Sequence, residues 1–504
     1  MLRNTPKRLF RPKLSIPMPQ QPVYYNLDEF KSKQHFNLSH FSQNIKELPW
    51  GEVPSELNFE RVYQTSTLSN GINVTSVDST SPMVTITCFI KCGSVNEKKE
   101  ASGCAHFLEH MHFKGTERRD KNRLEMEIEE NGGNLNAYTT REYTSYILNL
   151  NEDKINWGVD ILSDILINSL YPNNLIERER STIHTELLEC LKEEFESTLE
   201  FSHDISFKNH ALGRPILGLR ENIMSVTREQ IVDYHDLNYT GDNLIFVVSG
   251  RASHEVMCGI IEAKFGHLPK HKPVNNPELL FNLTKPVFNP GTQLIEGPEG
   301  DLKMGLYWEA PTWYDPDYIP FMILQRITGD YKKFNFDVSN DESNFVNFNA
   351  VASRHQYINE IQSAFCPYKK SALFGFYIQG DADRGIDMYN FLLNYVNDLV
   401  DKISDEDVIE ARSTLLGELM MIENGTDLTQ DIANYLCYVN RIVCKAEMAK
   451  RVSLAAHPDI IKDSIKKYIA NKPFSCTVWG TREEGIKVAE LHANGRDIHF
   501  DKTE

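Results

Sequence analysis

Three features of the sequence predict an α+β fold made of two similar halves, each with mostly antiparallel sheets flanked by helices. A β-hairpin pattern appears soon after residue 60, strands and helices then follow in irregular order, and a proline-rich stretch near the middle precedes elements in a comparable order. Hairpin-connected strands mixed with helices favour this class over a regularly wound parallel sheet. The length of 504 residues is enough for two to four domains of roughly 100–200 residues each.

The first half begins with the predicted hairpin. Apolar and polar side chains alternate over residues 63–68 and 72–77, on either side of Asn70-Gly71, a pair that is typical of two-residue hairpin turns. The same patterning predicts further strands at 83–90, 135–139, 144–150 and 244–249. It predicts helices near 102–113, 121–131, 152–168, 174–208, 227–237 and 254–265.

Five prolines between residues 269 and 290 indicate a linker between the halves. After this stretch, strands are predicted at 305–308, 374–379 and 475–479, and helices near 316–328, 386–402 and 404–423. We therefore divide the chain into a leader and arm at 1–58, a first half at 59–267, the linker at 268–290 and a second half at 291–504.

Composition narrows the range of partners. The net charge of −18, from 53 basic and 71 acidic residues, argues against nucleic acid and favours a cationic partner such as a basic peptide, although acidity also serves solubility. No apolar run approaches the ~18 residues of a membrane-spanning helix. The nine cysteines form no C-x-x-C pair, which favours reduced thiols in a non-secretory compartment.

The N-terminus differs from the rest of the chain. Residues 1–27 contain no acid and five basic residues, namely Arg3, Lys7, Arg8, Arg11 and Lys13. Acid-poor leaders with several arginines resemble mitochondrial transit segments, although the prolines that follow weaken a helix here. The alternative is a disordered basic tail.

The strongest chemical signal is the H-x-x-E-H pattern of His106-Phe107-Leu108-Glu109-His110. On a helix, His106 and His110 are one turn apart and leave the same face, so both imidazoles can bind one metal ion. Glu109 lies on that face as well and can reach a metal-bound water. Because the pattern defines only three positions, a helix with two surface histidines is the alternative.

A charged helical run over 174–189 offers a third ligand. Glu179 and Glu186 are seven residues apart and share a helix face. Most glutamates in such a run are solvated. One that faced the histidine pair would complete a zinc site of two histidines and one glutamate, with water in the fourth position.

A family resemblance rests on four segments: HFLEHMHFKG at 106–115, NLNAYTTREYTSY at 134–146, LIERERSTIHTELLE at 175–189 and ALGRPILG at 211–218. They resemble the pitrilysin-like zinc peptidases, and among these the branch that contains mitochondrial processing peptidase beta subunits and the core 1 subunits of respiratory complex III. The order and spacing of the motifs match, with 76 positions from His110 to Glu186. The resemblance is strong over 60–270 and continues more weakly towards residue 485.

The resemblance implies a catalytic first half and a non-catalytic second half. It implies one zinc ion per chain, bound by His106, His110 and Glu186. Glu109 would be the general base, and Glu179 would support activity without binding the metal. In agreement with one catalytic half, the second half contains no further H-x-x-E-H pattern.

The resemblance also implies a site for a peptide substrate. Asn136 and Ala137 would lie on the edge strand along which an extended peptide binds through backbone hydrogen bonds. Phe113 would line the pocket for the hydrophobic side chain just after the cut. Glu196 and Glu200 would bind an arginine two positions before it. The alternatives are a core phenylalanine and a solvated acidic face.

Two functions follow from the resemblance. The first is a zinc endopeptidase that removes basic presequences from proteins imported into mitochondria, working with an alpha-type (core 2) subunit in the matrix or at the matrix face of the inner membrane. The second is a structural core 1 subunit of complex III, with other complex subunits as partners and no peptidase activity. The intact motif residues favour the first, although one polypeptide could do both. A third alternative, a general oligopeptidase of the same superfamily, is less favoured because it would be a single chain about twice this length.

Overall fold

Two β-sheets organise the part of the chain that the computed structural model describes, which comprises residues 63–78, 81–297, 300–333, 346–422, 424–480 and 483–502. The leader and arm predicted at 1–58 lie outside these residues. The predicted α+β class with mostly antiparallel sheets is confirmed. None of the described helices is both long and apolar enough to cross a membrane.

The first sheet has six strands in the order β1-β2-β6-β3-β5-β4, of which only β2 and β6 pair in parallel among the described strands. The strands are β1 Tyr63–Thr67, β2 Asn73–Asp78, β3 Met83–Ile90, β4 Asn134–Thr139, β5 Thr144–Asn151 and β6 Leu244–Gly250. Seven of the eight residues of β3 are buried, because helices cover both faces of the sheet. β-Branched and aromatic residues suit such a strand. β4 forms one edge.

Helices of the first half cover one face of this sheet. The helices of this half are α1 Cys104–His112, α2 Lys121–Glu130, α3 Ile155–Ile167, α4 Asn173–Cys190, α5 Glu194–Ser206, α6 Arg220–Ser225, α7 Arg228–Asn238 and α8 His254–Phe265, followed by α9 Pro277–Asn282 in the predicted linker. In α3, Val159, Leu162 and Leu166 recur at helical spacing and are fully buried. Each such side chain contributes roughly 1.5–3 kcal/mol by leaving water.

The second sheet has seven strands in the order β13-β7-β12-β8-β11-β10-β9. Its strands are β7 Thr292–Glu296, β8 Leu302–Glu309, β9 Tyr331–Lys332, β10 Ile358–Pro367, β11 Ala372–Gly380, β12 Phe474–Trp479 and β13 Ile498–Lys502. The helices of this half are α10 Tyr318–Thr328, α11 Phe348–Ala352, α12 Gly385–Lys402, α13 Asp405–Met420, α14 Gly425–Tyr438, α15 Lys445–Ala455, α16 Pro458–Tyr468 and α17 Glu483–Ala493. Its core is separate from that of the first half.

The remaining face of each sheet is covered by a helix that belongs to the other half. Helix α14 of the second half lies on β3 and β6, where Leu428, Ile432 and Leu436 pack against Phe89 and Val247. Helix α5 of the first half lies on β8 and β12 of the second sheet. The two halves therefore exchange one helix each.

The prediction of one helix over 174–208 is wrong at residues 191–193, where the structure divides it into α4 and α5. No proline or glycine causes the break. The carbonyl of Cys190 instead accepts hydrogen bonds from the Glu193 N–H and the Ser197 hydroxyl, both at 3.0 Å. This turn lets α4 pack on α1 while α5 packs on the second sheet. Tertiary packing overrides helical propensity here.

Candidate metal centre

Helix α1 is anchored at its N-terminus by a buried carboxylate. Glu97 accepts hydrogen bonds from the Gly103 N–H at 2.8 Å and from the Ala105 N–H at 2.7 Å. Gly103 has φ +88°, and a Cβ at this position would lie 2.4 Å from the carbonyl oxygen of Leu217. The turn therefore requires glycine. Glu97 satisfies helix N–H groups that would otherwise be unpaired inside the protein.

The apolar side chains of α1 fix the direction of its polar face. Phe107, Leu108 and Met111 are buried in the core of the first half. Because these residues point into the core, His106 and His110 leave the helix on the side that faces α4. Their rings lie edge to face with centroids 4.7 Å apart.

His106, His110 and Glu186 converge on one point. One nitrogen of each imidazole and a carboxylate oxygen all lie within 4.8 Å of one another. Glu186, from α4, contacts Nε2 of His106 at 3.5 Å and Nε2 of His110 at 3.2 Å. Two imidazole nitrogens and one carboxylate oxygen are a donor set that suits a catalytic zinc ion.

The electrostatics of this group favour a cation. Hydrogen bonds to His106 and His110 hold the pKa of the Glu186 carboxyl well below its usual range. Burial lowers the pKa of His110, but its hydrogen bonds to Glu186 and Glu179 and the nearby charge of Glu109 outweigh burial and raise it. The carboxylates of Glu186, Glu179 and Glu109 thus favour positive charge at His110. The residues present fit a divalent metal ion.

Glu179 lies behind His110 rather than in the converging group. Its Oε2 is 3.3 Å from His110 Nδ1 and 2.9 Å from Lys114 Nζ, and the side chain is buried. A carboxylate at the second nitrogen of a metal-binding histidine fixes the tautomer and orientation of the ring. Among the described residues, the buried Nδ1 of His106 has no hydrogen-bond partner of this kind.

Glu109 is held from the edge strand. Its side chain is buried, and Oε2 accepts a hydrogen bond of 2.5 Å from the hydroxyl of Thr139, the last residue of β4. One carboxylate oxygen is thus fixed by a neutral donor. A carboxylate that does not bind the metal but lies beside it can accept a proton from water.

Asn136 and Ala137 lie in β4, whose outer edge pairs with no other described strand. The N–H of Ala137 donates to the side-chain Oδ1 of Asn136 at 2.9 Å. The inner edge of β4 pairs with β5 over its full length. An extended peptide can therefore add to the free edge as a further strand.

Phe113 is half-buried at the C-terminus of α1. Its ring is stacked with Tyr146, with centroids 6.4 Å apart, and packs against the core of the first half. His112 points away from the group formed by His106, His110 and Glu186 and into the protein interior. Its two nitrogens contact the hydroxyls of Tyr146 at 2.6 Å and Tyr171 at 3.0 Å.

Glu196 and Glu200 lie on α5, and the chain itself supplies a cation to one of them. Oε1 of Glu200 is 2.9 Å from Nη1 of Arg141, whose side chain is almost completely buried. Glu196 is exposed, and partial desolvation and the charges of Glu200 and Glu193 raise its pKa. An arginine from a substrate would therefore meet Glu196, which has no cationic partner among the described residues, and Glu200, which is already paired.

Sequence reasoning missed four residues that support the site: Glu97, Lys114, Thr139 and Arg141. Lys114, Thr139 and Arg141 all lie inside the segments that carry the family resemblance, so a signal was present. For Thr139 the alternation of side chains along β4 was a second signal, because it places Thr139 on the same face of the strand as Ala137, a residue that the resemblance assigns to the site. No local pattern pointed to Glu97.

Two protein-family models match most of the first half and part of the second half of the chain. The model of the insulinase family, peptidase family M16, matches residues 73–220. The model of the peptidase M16 inactive domain matches residues 225–415. The first match contains all the residues discussed above that converge at the metal centre.

Several relatives are similar over most of the chain. The probable mitochondrial-processing peptidase subunit beta of Arabidopsis thaliana is 32% identical over 82% of this chain and 78% of its own length. The mitochondrial-processing peptidase subunit beta of Neurospora crassa is 33% identical over 80% of this chain and 85% of its own. The mitochondrial-processing peptidase subunit beta of Saccharomyces cerevisiae is 32% identical over 83% of this chain and 91% of its own length.

One solved structure supports the fold. A protease from Helicobacter pylori superposes with a TM-score of 0.73, covering 83% of this chain and 99% of its own. Its sequence is 16% identical to this chain, so the likeness concerns the fold alone.

Proposed function

The chain belongs to the insulinase family of peptidases, family M16, and from that premise we propose that it is a zinc-dependent endopeptidase, the catalytic beta subunit of a mitochondrial processing peptidase. It removes basic presequences from imported proteins. The observation that carries this proposal is the convergence of His106, His110 and Glu186 within 4.8 Å, beside Glu109 and a free strand edge.

The residues divide the work of peptide hydrolysis. The free edge of β4 aligns an extended peptide, so that the scissile bond passes the polar face of α1. Zinc held by His106, His110 and Glu186 would polarise the scissile carbonyl and lower the pKa of the attacking water to about 7. Thr139 fixes Oε2 of Glu109, which leaves Oε1 to accept the proton of that water and return it to the leaving amine.

The substrate class follows from charge. The chain has a net charge of −18. Glu196 is an exposed carboxylate on α5, the helix of the first half that packs on the second sheet. An acidic cleft attracts basic peptides and increases their rate of encounter. Phe113, half-buried beside the metal-binding face, would contact the hydrophobic residue that follows the cut.

Partner and location are inferred from the named relatives. They are mitochondrial-processing peptidase beta subunits, so the partner would be an alpha-type subunit and the location the mitochondrial matrix or the matrix face of the inner membrane. A purely structural role in complex III would not require the metal-binding side chains to remain assembled. Their convergence therefore favours the peptidase over that alternative.

The test is cleavage of an arginine-containing presequence peptide by the full chain in its native assembly. We expect Glu109→Gln to keep stoichiometric zinc and lose cleavage, because the amide cannot accept the proton of water. Glu130→Gln, which changes an exposed glutamate at the end of α2, is the matched control and should cut normally. A wild-type assembly that holds zinc and leaves the peptide intact would disprove the proposal.

A further inference from the structure

Strand β4 lies between the metal-binding helix and a helix of the second half. Its side chains alternate, so neighbouring residues face opposite sides. Thr139 points towards α1, where its hydroxyl bonds to Glu109 at 2.5 Å. Tyr138 points the other way, where its hydroxyl donates to Oε1 of Gln430 on α14 at 2.5 Å.

Gln430 contacts both strands of the hairpin that carries the free edge. Its Oε1 accepts from Tyr138 on β4, and its Nε2 donates to Oγ of Ser145 on β5 at 2.6 Å. Tyr138 and Ser145 stand directly opposite each other in the antiparallel pairing. One amide group from the second half thus bridges a cross-strand pair of the first half.

We propose that Gln430 is a positioning residue for peptide hydrolysis, and that it acts through Tyr138 on the alignment of β4 relative to Glu109. The inference rests on the proposed function, because it treats β4 as the strand that binds substrate. It assigns to the second half, which contains no H-x-x-E-H pattern, a direct part in setting the geometry of the first half.

The physical reason is that an edge strand is held from one side only. β4 pairs with β5 but with no strand on its outer edge among the described residues, so its position depends on side-chain contacts as well. The contacts of Tyr138 and Thr139 act on adjacent residues and from opposite faces. Loss of one would let the strand shift relative to α1. Displacements of about 1 Å can cost roughly a hundredfold in rate.

The same helix offers a matched control. Thr429 precedes Gln430, is fully buried, and shares a hydrogen bond of 2.7 Å with Thr87 on β3. β3 lies two strands from β4 in the sheet. Thr429→Val keeps the shape of the side chain and removes a hydrogen bond from the same interface between α14 and the sheet, without touching the hairpin.

The experiment compares Gln430→Met, Thr429→Val and wild type as full chains in the native assembly, with a presequence peptide as substrate. We expect Gln430→Met to lower kcat/KM by roughly tenfold to a hundredfold, mainly through kcat, because the chemical alignment is disturbed. Zinc content should stay at one per chain. Thr429→Val should lower the thermal midpoint about as much as Gln430→Met does, because each change removes hydrogen bonding between α14 and the sheet. Thr429→Val should leave kcat and KM within about twofold of the wild-type values.

A double-mutant cycle tests the route. If Gln430 acts through Tyr138, then Tyr138→Phe should reduce kcat/KM as well, and the double variant should be little worse than either single one. Two results would overturn the proposal in an assembly whose wild type cleaves the peptide. One is that the losses of kcat/KM in the two single variants add up in the double variant. The other is that Gln430→Met is as active as Thr429→Val. A wild-type assembly without peptidase activity would overturn the proposed function and this inference together.

Discussion

Two residues of the candidate site, His110 and Glu109, are each held by a second contact. His110 is oriented by Glu179, which is in turn paired with Lys114, and Glu109 is held by Thr139. Such contacts restrict side-chain rotation before substrate arrives. This preorganisation lets a site act without reorganising its own dipoles.

The role of Glu179 leads to a prediction about metal affinity. Glu179→Gln replaces the carboxylate beside His110 Nδ1 with a neutral amide, so the imidazole becomes a weaker donor to a metal. We expect zinc affinity to fall by about 10–100-fold, the range for such outer contacts. Competition with a chromophoric chelator would measure it.

Glu189→Gln, an exposed change one turn beyond Glu186 on the same helix, serves as the comparison and should bind zinc normally. Equal zinc affinity for Glu179→Gln and wild type would show that Glu179 does not tune the metal-binding histidine.

At the scale of secondary-structure elements, the loop after α1 is tied to α3 by a partly buried ion cluster. Asp164, completely buried, accepts hydrogen bonds from Arg118 at 2.9 Å and from Arg119 at 2.8 Å. Asp160 binds both arginines and Lys264 on α8. The cluster joins the loop after α1 to helices α3 and α8 and so restrains the chain that follows α1.

This cluster predicts a loss of stability in acid. Burial raises the pKa of Asp160, but hydrogen bonds from Lys264, Arg118 and Arg119 outweigh burial and lower it to about 2. A carboxyl with a lowered pKa stabilises the folded state above its unfolded pKa of about 4, and this contribution disappears as pH falls to about 2. At neutral pH it amounts to about 1 kcal/mol, because nearby water screens part of the interaction.

Urea unfolding of wild type and Asp160→Asn at several pH values would measure this contribution. The difference in unfolding free energy should be constant above pH 5 and should vanish towards pH 2. A difference that persisted unchanged at pH 2 would mean that the ionised carboxylate is not its source.

At the scale of the whole molecule, the exchanged helices make the two halves depend on each other. Phe89, Ile245 and Val247 of the first sheet are buried against α14 of the second half. Ser202 and Ser206 of α5 hydrogen-bond to Thr477 and Ser475 of the second sheet, at 3.1 and 2.7 Å. Neither sheet is covered on both faces by its own half alone.

This exchange predicts that the halves do not fold well separately. A fragment of residues 59–290 would expose the apolar face that α14 covers, and an exposed patch of this kind promotes association. We expect the fragment to bind the dye ANS strongly and to form large species in size-exclusion chromatography.

Co-expression with residues 291–504 should restore a compact complex that binds the dye no more strongly than the intact chain. A monomeric 59–290 fragment without ANS binding would show that the exchanged helix is dispensable for the first half.

Local patterns in the sequence were enough to predict many of the secondary-structure elements and the arrangement of the two histidines. Strand β3 and helix α8 were predicted with their observed bounds, and the spacing of His106 and His110 placed both imidazoles on one helix face. These results depend on periodicities of two and 3.6 residues, which belong to the backbone itself. The resemblance of four motifs then pointed to the family, which the comparisons establish.

Only the tertiary structure decided which distant groups meet. It placed Glu186 with the histidines and Glu179 behind one of them, although both share a face of α4. It paired Glu200 with Arg141, broke the predicted helix at 191–193, and brought Gln430 to the edge strand. Contacts between residues far apart in the chain depend on how whole faces pack, and no short pattern records that packing.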